Sequence, residues 1–558
     1  MAQQEQRARI AEKALLLALL ALLVACWWGL WGHCASPLVT SCWIGDHGDR
    51  VQHYAGWLSV LQNTRVSAET NRLSWPMASS LVYTDSIPLL GLLLQPLGRL
   101  LPAQFQYFSL AHLAGILLTA WGAATIARVQ GLSKPGTAVL VVALAFAPIE
   151  LVRALGHTAL ATHGLLVWAL AWLMQRRYDP WRWGGLVGLG MGIHAYLTGM
   201  LLVLWGLAQG QAWLQGRRRP CLWGLLTMPI VLMASYHLFG YGVAAEPAST
   251  STLWNANLLA LVDPQGKSGW FGAFPIPMPW QWEGFAYLGL PVLLALLLLA
   301  PSRFARPGEQ PVFPYPHLFW AVMGAMALYA LGPEIWLGPW KLISLRSTPL
   351  IALLNPIYGF FRSTGRFIWP LYDALVIWVI CRLDQRLQRP WLMALMGAAL
   401  VLETQLPTLR FMRAKAQRFE AIGQGYGTSH SGTLQLIRAL QRQGVTHLIN
   451  ATGNPQQPVP GLPGFALSLF APGIATNHAP YLARWPAGFD RLYQNQRGEA
   501  IVARVEQELQ GRGNAVYLLR SNQVSSWTGL GPLVLVAPVG ERFGLYAVGA
   551  KRAWHQGS

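Results

Sequence analysis

The feature that most constrains this chain is a succession of apolar segments separated by short basic loops. The first covers residues 14–30, behind Arg7, Arg9 and Lys13. Ten more follow, at 105–126, 137–151, 158–174, 184–196, 197–214, 222–241, 285–300, 318–331, 366–380 and 391–402. Roughly 20 apolar residues in a helix cross a bilayer. Arg128 and Lys134, Arg176, Arg177 and Arg182, Arg217 to Arg219, Arg303 and Arg306, and Arg382, Arg386 and Arg389 fall in alternate connections. Threading the chain back and forth therefore keeps nearly all of them on one side. Basic loops stay in the cytoplasm, so the pattern predicts about 11 transmembrane helices and a cytoplasmic N-terminus.

Composition agrees. The 558 residues are 53% apolar and 11% charged, where a soluble domain carries about 25% charge. A formal charge of +19 would suit nucleic acid, but its carriers sit mostly in the short loops, so the basicity reads as topology and no nucleic-acid partner is expected. Five cysteines show no paired metal spacing, which argues against a zinc site. Cys34 and Cys42, both beyond the first span, either bridge or stay free.

Residues 14–30 read as an uncleaved first span, although LVAC at Leu23 to Cys26 imitates a lipoprotein cleavage box. The stretch 87–101 is apolar but too short to span, and counting it would invert every later basic loop. It reads as a re-entrant or interfacial helix. An odd number of spans leaves the tail outside. There helix patterns at 432–443 and 499–510 alternate with strand patterns at 446–450, 515–519 and 533–538, as in a small α/β domain. The expected organisation is a transmembrane domain at 1–406, with a large first extracytoplasmic loop at 33–104, and an extracytoplasmic α/β domain at 407–558. Asn450-Ala451-Thr452 is a formal glycosylation sequon beside a strand and is assigned no role. No nucleotide fingerprint or catalytic triad occurs in the tail.

Carboxylates are scarce, so their placement is informative. GDHGDRVQHYAGW puts Asp46 just before a helix, Asp49 in its first turn and His53 one turn on. Helix capping explains Asp46 and Asp49 as structural residues. At a bilayer boundary beside imidazoles, the same acids are placed to take a proton or hold a cation. Asp85 in VYTDSIP has the same two readings. FFRSTGRFIWP places Arg362 and Arg366 four apart before a span, where guanidinium forks suit phosphate oxygens or simply anchor the helix. RALGHTALATHG supplies Arg153, His157 and His163; His194 and Tyr196 mark a short turn on the same side; Asp263 and Glu283 lie among tryptophans in the loop 254–284. That composition suits sugar stacking as well as interfacial anchoring.

The order of parts resembles the GT-C superfamily of membrane glycosyltransferases: a first span, a large outer loop opening with an acidic motif, many further spans and an outer C-terminal domain. GDHGDRVQHYAGW, YTDSIPLL, FQYF, GHTALATHGLL, NLLALVDPQG, EGFAYLG and FRSTGRF are similar to those of an uncharacterised bacterial multi-pass family, more distantly YfhO-like. The GT-C resemblance implies a polyprenyl-phosphate sugar donor, an envelope glycan, lipid or protein acceptor, and an inner-membrane protein acting at the periplasmic face. It implies a loop carboxylate as base, with Asp46 and Asp49 matching by position. Arg362 and Arg366 would then hold the donor phosphate. His53, His157, His194, Tyr196 and Glu283 would bind substrate, and Asp46, Asp49 and Asp85 would be the ligands if a divalent cation, magnesium or manganese, takes part. Two other readings stay open: a lipid-linked saccharide flippase, or a non-catalytic scaffold of an envelope polysaccharide complex.

Overall fold

The computed structural model describes residues 2–548 except 45–47, 62, 64, 103–104, 247–253, 277–278, 300–308, 430, 454–473, 478–481, 483, 494–495, 511–513, 525–532 and 540–541. In chain order its main helices are α1 (Ala2–Trp31), α2 (Asp49–Leu61), α3 (Pro88–Leu94), α4 (Phe108–Gln130), α5 (Lys134–Ala145), α6 (Pro148–Leu151), α7 (Gly164–Met174), α8 (Pro180–Ile193) and α9 (Ala195–Leu214). There follow α10 (Arg218–Leu238), α11 (Leu290–Leu299), α12 (Pro316–Ala330), α13 (Pro349–Phe360), α14 (Trp369–Leu387), α15 (Pro390–Leu400), α16 (Leu406–Ser429) and α17 (Ser431–Arg442). The chain divides into two compact units, one of residues 1–35, 108–235 and 247–416, the other of 36–107, 236–246 and 417–558.

The protein is an integral membrane protein. Each of the eleven apolar segments contains a helix, and among the described residues six helices are long and apolar enough to cross a membrane. Helix starts follow local chemistry. Asp179 caps α8 by accepting from the Trp181 and Arg182 N–H groups, with Pro180 at the first helical position.

Two segments of the first unit differ from the sequence expectation. The span expected over 137–151 breaks at Ala147, which takes ψ 131° because it precedes Pro148. From there to Gly164 the chain is a four-residue helix, turns and a short 3-10 segment, almost entirely buried. Non-helical backbone at membrane depth is tolerated only inside protein or beside a polar cavity. The span expected to end at 402 instead runs on into α16 through a π-helical turn, Val401–Gln405. Pro407 has no N–H to give the Glu403 carbonyl, and the Gly269 N–H fills that place at 2.7 Å. The buried Glu403 carboxylate accepts from the Tyr287 hydroxyl (2.7 Å) and the Leu290 N–H (3.1 Å) and takes the Ser268 hydroxyl as well.

In the second unit, the stretch 87–101 forms only the seven-residue α3 and a 3-10 turn, too short to span. Two short antiparallel pairs, β1 (Glu69–Thr70) with β2 (Ser79–Ser80) and, in the first unit, β3 (Glu334–Leu337) with β4 (Trp340–Ser344), come before the tail, whose β5 (Val445–Asn450), β6 (Ala475–Thr476), β7 (Asn514–Arg520), β8 (Leu533–Val539) and β9 (Phe543–Val548) form a five-stranded sheet in the order β6-β5-β7-β9-β8. Its first three strands are parallel and the last two join antiparallel. One face packs Ile449, Tyr517 and Leu519 against Val502 and Val505 of helix Gly498–Leu509. The other packs Leu448, Val516 and Leu518 against Ile437 and Leu440 of α17. Asn450 of the sequon is fully buried and locked to Asn477 by two hydrogen bonds, which leaves no access for a glycan. Cys26, Cys221 and Cys381 are free.

Candidate functional site

The site in the first unit begins with two glycines. Gly365 donates its N–H to Trp254 O at 3.0 Å, and a Cβ there would stand 2.9 Å from the backbone of Gly284 and Asn255. Gly284 is as tight, since a Cβ would meet Ala256 Cα at 2.5 Å. Backbone against backbone, the two segments bring Arg366 to Glu283. Arg366 Nε donates to Glu283 Oε2 at 2.8 Å. Arg153, from the broken stretch after α6, reaches the same oxygen through Nη1 at 3.0 Å and donates through Nη2 to the Glu283 carbonyl at 3.0 Å. Because no rotamer adjustment relieves a backbone overlap, Gly365→Ala is expected to cost about 1–3 kcal/mol and to separate Arg366 from Glu283. Thermal unfolding of the variant checks the first effect, and loss of any Arg366-dependent ligand binding the second.

Aromatic rings frame the cluster. The Arg153 guanidinium lies over Trp282 and Trp369 (4.9 and 5.4 Å to the ring centroids), Arg366 over Tyr196 (4.5 Å) and Arg362 over Trp254 (5.0 Å). Arg362 and Arg366 thus take different partners, and the guanidinium that shares Glu283 with Arg366 belongs to Arg153. Tyr196 is fixed at both ends. Its N–H donates to Nδ1 of His194, which caps α9, and its hydroxyl accepts the Ser363 N–H at 2.7 Å. Tyr196→Phe strands that buried N–H and is expected to cost about 1–3 kcal/mol, read as a lower Tm with secondary structure unchanged.

Charge explains the cluster's chemistry. Burial opposes ionisation of Glu283, but Arg153, then Arg366 and His157, together with the Arg366 hydrogen bond, outweigh it and hold the carboxyl well below the usual carboxylate range. So weak a base accepts a proton poorly, and Glu283 acts here as the anchor of two guanidinium groups. Two positive charges on one carboxylate leave the site net positive. Lys267 adds a third cation nearby. Its ammonium lies over Phe285 and Phe411 and donates to Gln265 O, and burial, against the pull of Asp263, pushes it down to about 8. The unfolded chain keeps that proton up to about 10.5, so between those values the unfolded state binds more protons and stability rises with pH. Unfolding curves from pH 8 to 10 should show this rise, and Lys267→Met should flatten it.

The remaining candidates lie in the second unit. Asp49 is the exposed first residue of α2, Asp46 lies outside the described residues, and His53 is buried one turn along. Gly56 lets the chain at Thr84 and Ser86 press onto α2, where a Cβ would meet Thr84 Oγ1 at 2.0 Å. Ser86 Oγ then donates to His53 O (2.6 Å), and Asp85, in the left-handed region at φ 53°, accepts from Gln52 Nε2 (3.2 Å). A nitrogen of His53 and an oxygen of Asp85 lie within 4.8 Å. Asp49 joins no set of three potential metal ligands among the described residues, so the acids named for a divalent cation do not form one ligand set there.

The sequence points to Arg153 without giving it a role, takes the loop tryptophans, Trp254 and Trp282 among them, only as a composition suited to stacking or anchoring, and gives no sign of Lys267 or Trp369. The only signal for Arg153 was its neighbourhood to His157, because its partner is 130 residues away.

The fold is GT-C-like. ArnT from Cupriavidus metallidurans in the apo state aligns with a TM-score of 0.53 at 12% identity, over 96% of this chain and 98% of that one. The same protein bound to undecaprenyl phosphate aligns at 0.50 and 13% identity over the same shares. Arabinofuranosyltransferase AftD from Mycobacteria aligns at 0.48 and 13%, with this chain spanning 40% of its length. No curated protein sequence matches the chain. Residues 18–405 match the family described as a domain of unknown function, DUF6311, and with most of its length so matched the chain belongs to that family.

Proposed function

We propose that the protein is a membrane glycosyltransferase that moves a sugar from a polyprenyl-phosphate donor to an envelope glycan, lipid or protein acceptor at the periplasmic face of the inner membrane. The observation that carries this reading is the net-positive Arg153–Glu283–Arg366 cluster, buried beside membrane helices and walled by tryptophans and Tyr196. The likeness of fold to ArnT, whose structure is known bound to undecaprenyl phosphate, supports the choice of donor. The acceptor hydroxyl attacks the anomeric carbon and the bond from that carbon to the phosphate oxygen breaks. The polyprenyl phosphate leaves with the electron pair, and the hydroxyl proton goes to a carboxylate. Arg153 and Arg366 stabilise the charge growing on the leaving phosphate. Glu283 holds both in place and is too weakly basic to take the proton. Asp49 and Asp85 are the candidate bases, Asp85 with His53 at its side, and Asp46 remains a candidate from its place in the motif.

A second reading has its own observation. Glu150, His163 and Asp373 are buried within the helical part of the first unit, and among the described residues Asp373 Oδ2 has no hydrogen-bond partner. Intramembrane ionisable groups often mark transport pathways, which suits a lipid-linked saccharide flippase. Binding of undecaprenyl phosphate to the purified protein, followed by native mass spectrometry, tests the donor site shared by both readings. Wild type should retain the lipid and Arg366→Met should lose roughly tenfold or more in affinity. Equal binding by the two would remove Arg366 from the site.

A further inference from the structure

In the second unit a guanidinium buries two N–H donors that make no hydrogen bond among the described residues. Arg72 is 9% exposed, and among the described residues its Nε and Nη2 atoms make no hydrogen bond. Such an atom is expensive to bury, and a buried charge more so, unless something meets it. Burial pushes the group down to about 10, and no described carboxylate opposes that. It remains charged at neutral pH.

The backbone around it is firmly built. Arg72 N–H donates to Thr70 Oγ1, whose hydroxyl donates to Ser59 O. The Arg72 carbonyl accepts the Thr476 N–H of β6, and Trp75 N–H returns a bond to Thr476 O, both at 3.0 Å. Trp75 is further held by the Tyr493 hydroxyl on its carbonyl (2.8 Å) and packs edge-on against His447 of β5. The segment 72–75 thus covers the edge of the sheet beside the carboxyl end of β6, and open α/β sheets bind ligands outside the carboxyl ends of their parallel strands. A second buried polar atom with no partner among the described residues, Ser79 Oγ, sits on the same ribbon, where β2 (Ser79–Ser80) pairs Ser79 with Thr70 of β1 (Glu69–Thr70).

We propose that Arg72 is the centre of an oxyanion-binding site in this unit, taking a phosphate or carboxylate group carried by a saccharide. The fork of Nε and Nη2 presents two parallel donors, the geometry that a carboxylate or phosphate fills with two hydrogen bonds. On the glycosyl-transfer reading the anion is the acidic group of the acceptor, so the acceptor class is an anionic glycan. Binding itself can be measured whether or not transfer occurs.

The test uses the full chain in nanodiscs, with sodium phosphate and sodium glucuronate as probes and sodium chloride at matched ionic strength as control. Wild type should bind one of the two probes, and Arg72→Met, of similar length and uncharged, should bind it roughly tenfold or more weakly. Arg72→Lys should fall between. Tighter binding of phosphate points to a phosphorylated group, and of glucuronate to an acidic sugar. In probe-free buffer Arg72→Met should unfold at the same temperature as wild type or higher, because it removes an unpaired buried charge. Binding of neither probe, equal binding by Arg72→Met, or a lower Tm of that variant in probe-free buffer would each overturn the proposal, the last by showing that the chain supplies the partner itself.

Discussion

Glu283→Ala is expected to destabilise the protein by about 3–5 kcal/mol, the cost of breaking a buried ion pair from one side. Glu283 is 3% exposed; one of its oxygens pairs with Arg153 and accepts from Arg366, while its carbonyl accepts from Arg153, so removal leaves two guanidinium groups in a buried pocket without their shared counter-charge. Glu283→Gln keeps the shape and loses the charge, and should be intermediate. Adding Arg153→Met to either variant should recover part of the loss, since the residues act as one network. Because the folded carboxyl titrates well below the unfolded value of 4.5, its contribution is present above that value and is lost only as pH falls through the folded one. Lowering pH from about 7 to 5 should therefore leave this contribution intact.

The second large effect is on rate. Arg366→Met and Arg153→Met should each lower sugar transfer by about 10²–10³-fold, the usual loss when one preorganised donor to a developing negative charge is removed. Arg366→Lys should recover little, because an ammonium can satisfy neither Glu283 and a phosphate together nor the ring of Tyr196 as a planar guanidinium does. Arg362→Met, whose side chain lies over Trp254 apart from the carboxylate, should lose far less. Equal losses for Arg362 and Arg366 would mean that the spacing of the two arginines matters more than the contact with Glu283.

How much of this was legible in the sequence follows from how local each determinant is. The membrane helices were readable because an apolar run and its basic loop are properties of a few adjacent residues. The strands at β5, β7 and β8 and the helices α17 and Gly498–Leu509 announced themselves by periodicity. β9 was not read, although it pairs along β7 and β8. Breaks were harder. The interruption at Ala147 follows from Pro148, yet Pro407, just past the last apolar segment, is absorbed by a π-helical turn because Gly269 takes over the freed carbonyl. That substitution comes from more than a hundred residues away. Arg153 and Glu283 have the same difficulty: nothing in either motif names the other. Glu283 was read as a substrate-binding group, and only its two guanidinium neighbours show why it is a poor base.

The proposed reaction takes its sugar from a lipid-linked donor. The most direct measurement is mass spectrometry of lipid-linked sugars and envelope glycans in a deletion strain carrying wild type, Arg366→Met or no copy. The account predicts that the last two strains accumulate one polyprenyl-phosphate-linked sugar and lack one sugar residue in an envelope glycan, lipid or protein, and that wild type restores both. Unchanged pools in the deletion strain would contradict it.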